Sequence, residues 1–260
     1  MSVNVETMIM EMAMNARDAA DALVAKRSDA PAIPTYVSAW RHEGEALVSV
    51  IEVTVDANRD EMLAIATKLR TGADADAVIL SFDTYYALTV ENPDTGVEWA
   101  PGEMQDYVDR HGSGKVVVDS LNVTVATPDG VWTVLLPYRR TRRRIIWLTP
   151  ADCDERGPFV ATPMKAGPKN EDGVEMTGTV PNVLSDIMSR EPLDLSAYPG
   201  KVPEGLDVRA LADFYTMSMI GQAHDCVIGS RYYAEPANLK RMETAMRRAG
   251  EDFLMDQWKN

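Results

Sequence analysis

The chain has 260 residues, a charged fraction of 25% and a formal net charge of −14. An apolar fraction of 45% is typical of a globular protein with a core, and no apolar run reaches the ~18–20 residues that cross a bilayer. The acidic balance argues against binding to nucleic acid or to anionic membranes, because the mean field repels phosphate. The N-terminus lacks the basic start and continuous apolar stretch of a secretory signal, so we expect a cytoplasmic protein.

The first part of the chain alternates helical and strand patterns, which predict an α+β fold. An amphipathic helix opens it, with apolar residues at three- and four-residue steps from Val5 to Leu23. Two strands rich in Val and Ile follow around a turn at residues 42–45, one at Thr35–Arg41 and one at Ala46–Val55. Asn58 and Glu61 then form a capping box, which predicts the start of a helix. The helical pattern continues through about Arg70, and Gly72 ends the helix.

A second group of strands completes this domain. The apolar first half of Ala77–Val90 predicts a central strand, and the turn Asn92–Gly96 and a short helix near Gly102–His111 come after it. A three-strand meander follows at Lys115–Ala126, Val131–Tyr138 and Ile145–Leu148. We therefore expect one α+β domain over residues 1–150. Its predicted core is Ile51, Val53, Leu63, Ile65, Val78, Leu80, Val117, Val123, Val134 and Ile146.

The second part of the chain changes in character. Prolines interrupt residues 151–206, which we predict to be an extended Pro/Gly-rich arm or connector with one short helix at Asn182–Ser189. Residues 207–260 are predicted to form a C-terminal helical region, with helices at Asp207–Ala223 and Ala237–Trp258. These helices carry more apolar surface than an isolated pair could bury. We therefore expect them to pack on the first domain, on a protein partner or on a second copy in an oligomer.

Signatures of common catalytic and metal sites are missing. Cys153 and Cys226 lie far apart, which predicts free thiols. The three histidines are His42, His111 and His224. None of them is grouped with other ligands in a way that would converge on one ion, and segment 112–115 fails the pattern of a phosphate-binding loop. We therefore expect no metal, no cofactor and no assigned catalytic residue.

The arginine cluster is the strongest departure from an ordinary composition. It consists of five arginines within six residues: Arg139, Arg140, Arg142, Arg143 and Arg144. In a link between two strands the side chains alternate faces, so at most about three could converge on one ligand. Two interpretations stay open: a site for a phosphorylated ligand, an RNA or an acidic partner, or an exposed hairpin whose guanidinium groups pair with the protein's own carboxylates. We favour the second.

Asp83 and Asp119 are the best-placed interior carboxylates, because both lie in or beside predicted strands. Either one would be a candidate acid or base in a cleft that raised its pKa, whereas the plainer interpretation is that it accepts backbone or tyrosine hydrogen bonds. The missing catalytic signatures favour a protein-interaction or regulatory protein without catalytic activity. The alternative is a small-molecule or nucleotide-binding enzyme or sensor that uses Asp83 or Asp119 with the arginine cluster. A polar pocket that joins them would favour this alternative.

Several stretches carry a family resemblance. They are Ala75–Tyr85 (ADAVILSFDTY), Asn92–Gly96 (NPDTG), Trp99–Gln105 (WAPGEMQ) and Leu135–Tyr138 (LLPY). Together they resemble a set of uncharacterised proteins of actinobacteria and their phages, over roughly residues 1–150. The resemblance implies a bacterial or bacteriophage cytosolic setting, and it carries no catalytic residues to this chain.

Overall fold

The computed structural model is a mixture of helices and strands with one large antiparallel sheet, so the predicted α+β class is confirmed. The structure describes residues 5–26, 33–100, 102–113, 116–141, 144–148, 162–164, 180–198, 200–202, 204–230 and 236–249. The chain divides into two compact units. The first unit comprises residues 1–34, 81–124 and 132–164, and the second comprises residues 35–80, 125–131 and 165–260.

The elements follow the predicted order through residue 148, with two short strands added on either side of the turn at residues 92–96. They are α1 (Val5–Lys26), β1 (Thr35–Glu43), β2 (Ala46–Val55), α2 (Arg59–Gly72), β3 (Ala77–Ala87), β4 (Glu91–Asn92), β5 (Val97–Glu98), α3 (Glu103–His111), β6 (Val117–Thr127), β7 (Gly130–Arg140) and β8 (Ile145–Trp147). The later elements are β9 (Thr162–Met164), α4 (Val180–Met188), one 3-10 turn (Leu195–Ala197), α5 (Val208–Ala223), β10 (Cys226–Gly229) and α6 (Pro236–Ala249). The strand order of the sheet is β10-β2-β1-β3-β6-β7-β8, and β9 pairs with β7.

In the second unit, β1 and β2 form the predicted antiparallel hairpin, with Thr35 opposite Val55, and β10 pairs with the other edge of β2. Helix α2 packs on β1 and is contacted by α4 and α5. The apolar face of α5 joins α6 in a cluster of buried side chains: Ala210, Leu211, Phe214, Tyr215, Met242 and Ala245. Helix α5 therefore buries much of its apolar surface within the chain.

Helix α2 begins with the predicted capping box. The side chain of Asn58 accepts hydrogen bonds from the backbone N–H groups of Asp60 and Glu61, and the Glu61 carboxylate accepts one from the N–H of Asn58 at 3.0 Å. Gly72 is the last helical residue, as predicted, but the left-handed residue that follows is Asp74, with φ 48°. Aspartate tolerates this conformation because its short side chain can hydrogen-bond locally.

In the first unit, β7 and β8 pair antiparallel, with Arg140 opposite Ile145. Thr141 closes the turn between them, since its N–H and its hydroxyl donate to the carbonyl oxygen of Arg144 at 2.9 and 3.0 Å. Arg139 and Arg140 therefore belong to β7 and pair with β8, whereas the sequence predicts them in the link after Tyr138; Arg144 lies on the far side of the turn.

Nine of the ten predicted core residues are buried. These are Ile51, Val53, Leu63, Ile65, Val78, Leu80, Val117, Val123 and Val134. The prediction for Ile146 is wrong, because its side chain is 42% exposed while that of Ile145 is 7% exposed. Successive side chains of a strand point to opposite faces, so an error of one residue in phase exchanges the buried and exposed positions.

The second part of the chain contains elements that the sequence did not predict, namely β9, the 3-10 turn and β10. With only four residues, β10 is too short for its pattern to be distinguished from a helical one. The helix predicted within the arm is α4, which begins at Val180. Cys226 is a free thiol, as predicted, and Cys153 lies outside the described residues. Half of residues 151–206 and the last residues of the predicted final helix also lie outside them, and the division at residues 150 and 206 stays a prediction.

Candidate functional site

Three neighbouring strands of the first unit, β3, β6 and β7, carry the polar side chains of a cavity of about 500 Å³. Asp83 lies on β3, Asp119 on β6 and Arg140 on β7. The other lining residues are Thr84, Tyr85, Gly102, Met104, Gln105 and Tyr138. The structure therefore brings both candidate carboxylates together with one member of the arginine cluster.

The alternation of side chains along β7 decides which arginine reaches the cavity. Tyr138 and Arg140 are two residues apart, so both point to the cavity face of the strand. Arg139 lies between them and is exposed, as is Arg144 at the far side of the turn. Arg142 and Arg143 lie outside the described residues.

Asp83 is held in place by two hydrogen bonds. Its Oδ1 accepts one from the hydroxyl of Tyr138 at 2.6 Å, and its Oδ2 accepts one from the backbone N–H of Ile33 at 3.3 Å. Burial raises the pKa of Asp83, while the Tyr138 and Ile33 hydrogen bonds and the charge of Arg140 oppose that rise. Burial, and after it the negative charge of Asp83, raises the pKa of the Tyr138 phenol. This hydroxyl therefore stays protonated and remains a hydrogen-bond donor. Asp83 therefore matches the plainer expectation for an interior carboxylate.

Asp119 has a different environment from Asp83. Its carboxylate accepts no hydrogen bond from any residue within the described ranges. Burial raises the pKa of Asp119, the negative charge of Asp83 raises it further, and the charge of Arg140 opposes both. Asp83 is thus held by two donors, whereas the carboxylate of Asp119 accepts no hydrogen bond from a described residue.

Among the described residues, Arg140 contributes the one guanidinium group in the lining of this cavity. Both of its terminal nitrogens, Nη1 and Nη2, are buried, and neither donates a hydrogen bond to a described residue. The ion pairs found within the described part of the chain do not include Arg139, Arg140 or Arg144 either. Leaving a buried polar group unsatisfied costs ~1–3 kcal/mol, and more for a charged group, so a ligand that accepts these hydrogen bonds would recover that cost.

Helix α3 supplies one wall of the cavity through Met104 and Gln105. The residue between the lining positions Gly102 and Met104 fixes the start of the helix: the Oε2 atom of Glu103 accepts hydrogen bonds from the N–H of Ala100 at 3.1 Å and from Nδ2 of Asn92 at 3.2 Å. These bonds, that of Ala100 first, lower the pKa of the Glu103 carboxyl. The carboxylate of Glu103 thus positions this wall, although Glu103 is not among the described residues that line the cavity.

The second unit contains a partly buried arginine, Arg41, whose two terminal nitrogens both donate hydrogen bonds. Arg41 donates from Nη1 and Nη2 to the two carboxylate oxygens of Asp213 at 3.0 and 2.8 Å, and from Nη1 to the carbonyl oxygen of Ala73 at 2.7 Å. Burial raises the pKa of Asp213, while its hydrogen bond to Arg41 and the Arg41 charge oppose the rise. Sequence analysis did not single out this pair, because neither residue belongs to a motif.

A second cavity, of about 580 Å³, lies at the start of α2. Its lining residues are Asn58, Arg59, Asp60, Glu61, Ala64 and His224. Asn58 and Glu61 are already engaged in the capping box, so this cavity offers fewer open polar groups. Within the described ranges, no group of three or more His, Cys, Asp or Glu side chains could hold a metal ion.

Comparisons of the chain with protein-family models, with curated proteins and with solved structures found no match. None of the helices in the described part of the chain has the length and apolar character to span a bilayer. The geometry of the described residues is therefore what identifies the candidate site. Sequence analysis named three of its polar residues and missed Tyr138, although the spacing of Tyr138 and Arg140 along a strand is a signal that they share a face.

Proposed function

We propose that the chain binds a small organic anion in the cavity of the first unit, as a small-molecule-binding enzyme or sensor. The observation that carries the proposal is Arg140, whose buried terminal nitrogens have no acceptor among the described residues. A guanidinium group offers parallel N–H donors that match a carboxylate or a phosphate in a bidentate pair. An arginine whose terminal nitrogens are buried and lack an acceptor, in a cavity of this size, is suited to that role.

The two carboxylates add chemistry to the site. Asp83 is held in place by hydrogen bonds from Tyr138 and Ile33, so its carboxylate has a fixed position in the cavity. Asp119 is open and its pKa is raised, which suits it to take a proton from a ligand held at Arg140. This arrangement supports the alternative function, because the polar pocket that would favour it is present.

The cellular setting of the protein and its partners are also proposals. We propose a cytosolic protein in a bacterial or phage setting, in which the C-terminal helices self-associate or bind a protein partner. The buried face of α5 leaves less apolar surface for such contacts than the sequence indicates. The net charge of −14 continues to disfavour nucleic acid as a ligand.

The direct test is a thermal-shift screen of the full chain against small carboxylates, phosphate esters and nucleotides. A ligand at about 100 times its Kd should add about 2.7 kcal/mol to the free energy of unfolding. We expect that stabilisation in the native protein and its loss in Arg140→Gln, because glutamine cannot form the bidentate pair.

The matched control is Arg139→Gln, which removes an exposed arginine from the opposite face of the same strand. It should retain the full ligand effect. Arg140→Lys keeps the charge and provides a second variant should the glutamine variant melt without cooperativity. Stabilisation of equal size in the native protein and both Arg140 variants, or no stabilisation by any anion, would overturn the proposal.

A further inference from the structure

The charges that line the cavity bear on a second property of the ligand, namely whether it carries a positive charge as well as an anionic group. Arg140 contributes one positive charge, and Asp83 and Asp119 contribute two negative charges when ionised. A simple anion paired with Arg140 would leave both carboxylates without a counter-charge in a partly desolvated space. Placing an uncompensated charge in such a space is costly, so a ligand that brings its own positive charge fits the site better.

The hydrogen-bond partners show where that positive charge would lie. Asp83 already accepts hydrogen bonds from Tyr138 and Ile33. Asp119 accepts none from the described residues, so its oxygens are open to N–H donors of a ligand. The open donors of Arg140 and the open acceptors of Asp119 therefore form a complementary pair across the lining of one cavity.

We propose that the ligand is a small zwitterion, in which a short carbon chain joins an ammonium group to a carboxylate or a phosphate. The anionic group forms a bidentate pair with Arg140, and the ammonium group donates to Asp119. Tyr85 and Met104 provide apolar surface for the carbon chain between them. This inference rests on the proposed function, since it assigns the second recognition group of the same site.

Calorimetric titration of the full chain with matched probes tests the inference. The zwitterionic probes are glycine, β-alanine, γ-aminobutyrate, ε-aminocaproate and aminoethyl phosphate, which span several separations of the two charges. Their analogues are butyrate, γ-hydroxybutyrate, butylammonium and ethyl phosphate. We expect one zwitterion to bind about tenfold or more tightly than its singly charged and hydroxyl analogues, because only the zwitterion satisfies both groups. The carboxylate and phosphate arms identify which anion Arg140 prefers.

Two variants assign the effect to its residues. Asp119→Asn should bind the zwitterion no more tightly than its anionic analogue, while Arg140→Gln should lose binding of both. Arg139→Gln is again the control and should behave as the native protein does.

The outcomes separate this inference from the proposed function. If butyrate or ethyl phosphate binds through Arg140 as tightly as the amino compounds, the anion site stands and the zwitterion is refuted. A preference for the zwitterion that survives in Asp119→Asn would refute the assigned contact. If no zwitterion of the series binds at millimolar concentration, the inference fails, whatever the wider anion screen finds.

Discussion

The two units of the molecule each contain a partly buried arginine near aspartates, and the two arginines differ in their hydrogen bonds. In the second unit, Arg41 is paired with Asp213 through both terminal nitrogens and also bonds a backbone carbonyl. In the first unit, both terminal nitrogens of Arg140 lack an acceptor among the described residues, although Asp83 and Asp119 line the same cavity. A buried arginine whose donors are used stabilises a fold, whereas one whose donors are open is suited to a ligand.

The comparison also separates the aspartates. Asp213 and Asp83 both receive hydrogen bonds from defined partners, and in each case these bonds oppose the rise in pKa that burial causes. Asp119 receives none from the described residues. Two aspartates thus have structural partners, and the third is open to a ligand.

The largest expected effect is the loss of the Arg41 pair. Arg41→Met should lower the free energy of unfolding by about 3–5 kcal/mol, because it leaves Asp213 as an unpaired buried charge. Urea denaturation at neutral pH measures this loss. Arg190→Met is the control, since Arg190 pairs with Asp186 on the surface, and it should cost less than about 0.5 kcal/mol.

The matching change in the first unit is Arg140→Met. We expect it to cost about 1–2 kcal/mol, less than Arg41→Met, because Arg140 has no hydrogen bond to lose among the described residues, although Asp83 and Asp119 lose its opposing positive charge. An equal cost for Arg41→Met and Arg140→Met would break the comparison between the two units.

An effect smaller than that of Arg41→Met is expected when Asp83 loses a partner. Tyr138→Phe removes the hydroxyl that donates to Asp83 at 2.6 Å, so the free energy of unfolding should fall by about 1.5–3 kcal/mol. Urea denaturation again provides the measurement. Tyr107→Phe is a suitable control, because the hydroxyl of Tyr107 makes no hydrogen bond with a described residue, and a change below about 0.5 kcal/mol is expected. Similar losses in both variants would mean that Asp83 is not held as Asp213 is.

The smallest expected effect has the opposite sign. Asp119→Asn should raise the free energy of unfolding at neutral pH by about 0.5–1 kcal/mol. It removes a carboxylate whose ionised form is disfavoured by burial and by the negative charge of Asp83. The carboxylate has no hydrogen bond to a described residue that the change would break. Asp129→Asn, in an exposed turn, should stay within about 0.5 kcal/mol of the native protein.

The pH dependence of that gain fixes its cause. The pKa of Asp119 is raised in the folded protein above the usual 3.8, so the folded state binds this proton more tightly than the unfolded state does. The destabilising contribution of Asp119 is therefore present above its raised pKa and disappears as the pH falls through it towards 3.8. The gain from Asp119→Asn should shrink over the same window. A gain that is constant with pH would exclude the carboxylate charge as its origin.

Much of the fold could be predicted because its signals are local. The capping box of Asn58 and Glu61 occurs as predicted, and Gly96 has a positive φ of 69° in the predicted turn. Strand patterning identified seven buried core positions and the helical pattern of α2 identified two more, Leu63 and Ile65. The error at Ile146 arose in a short strand, where three residues are too few to fix which face is inward.

The candidate site was predicted in its residue types but not in its arrangement. Asp83 and Asp119 stood out because they lie in or beside predicted strands, and the arginine cluster because it places five arginines within six residues of an acidic chain. Their meeting in one cavity depends on β6 lying between β3 and β7, which no local pattern indicates. Asp213 could not be recognised as buried, since its partner Arg41 is distant in sequence.

The sequence by itself determined the α+β class and the order of elements through residue 148, because these depend on residues near one another in the chain. Only the tertiary structure decided which arginine faces the cavity, which aspartate remains open beside it and which arginine is paired with an aspartate. Those properties depend on strand order, register and burial. They arise from contacts between residues far apart in sequence, whose energies no local pattern records.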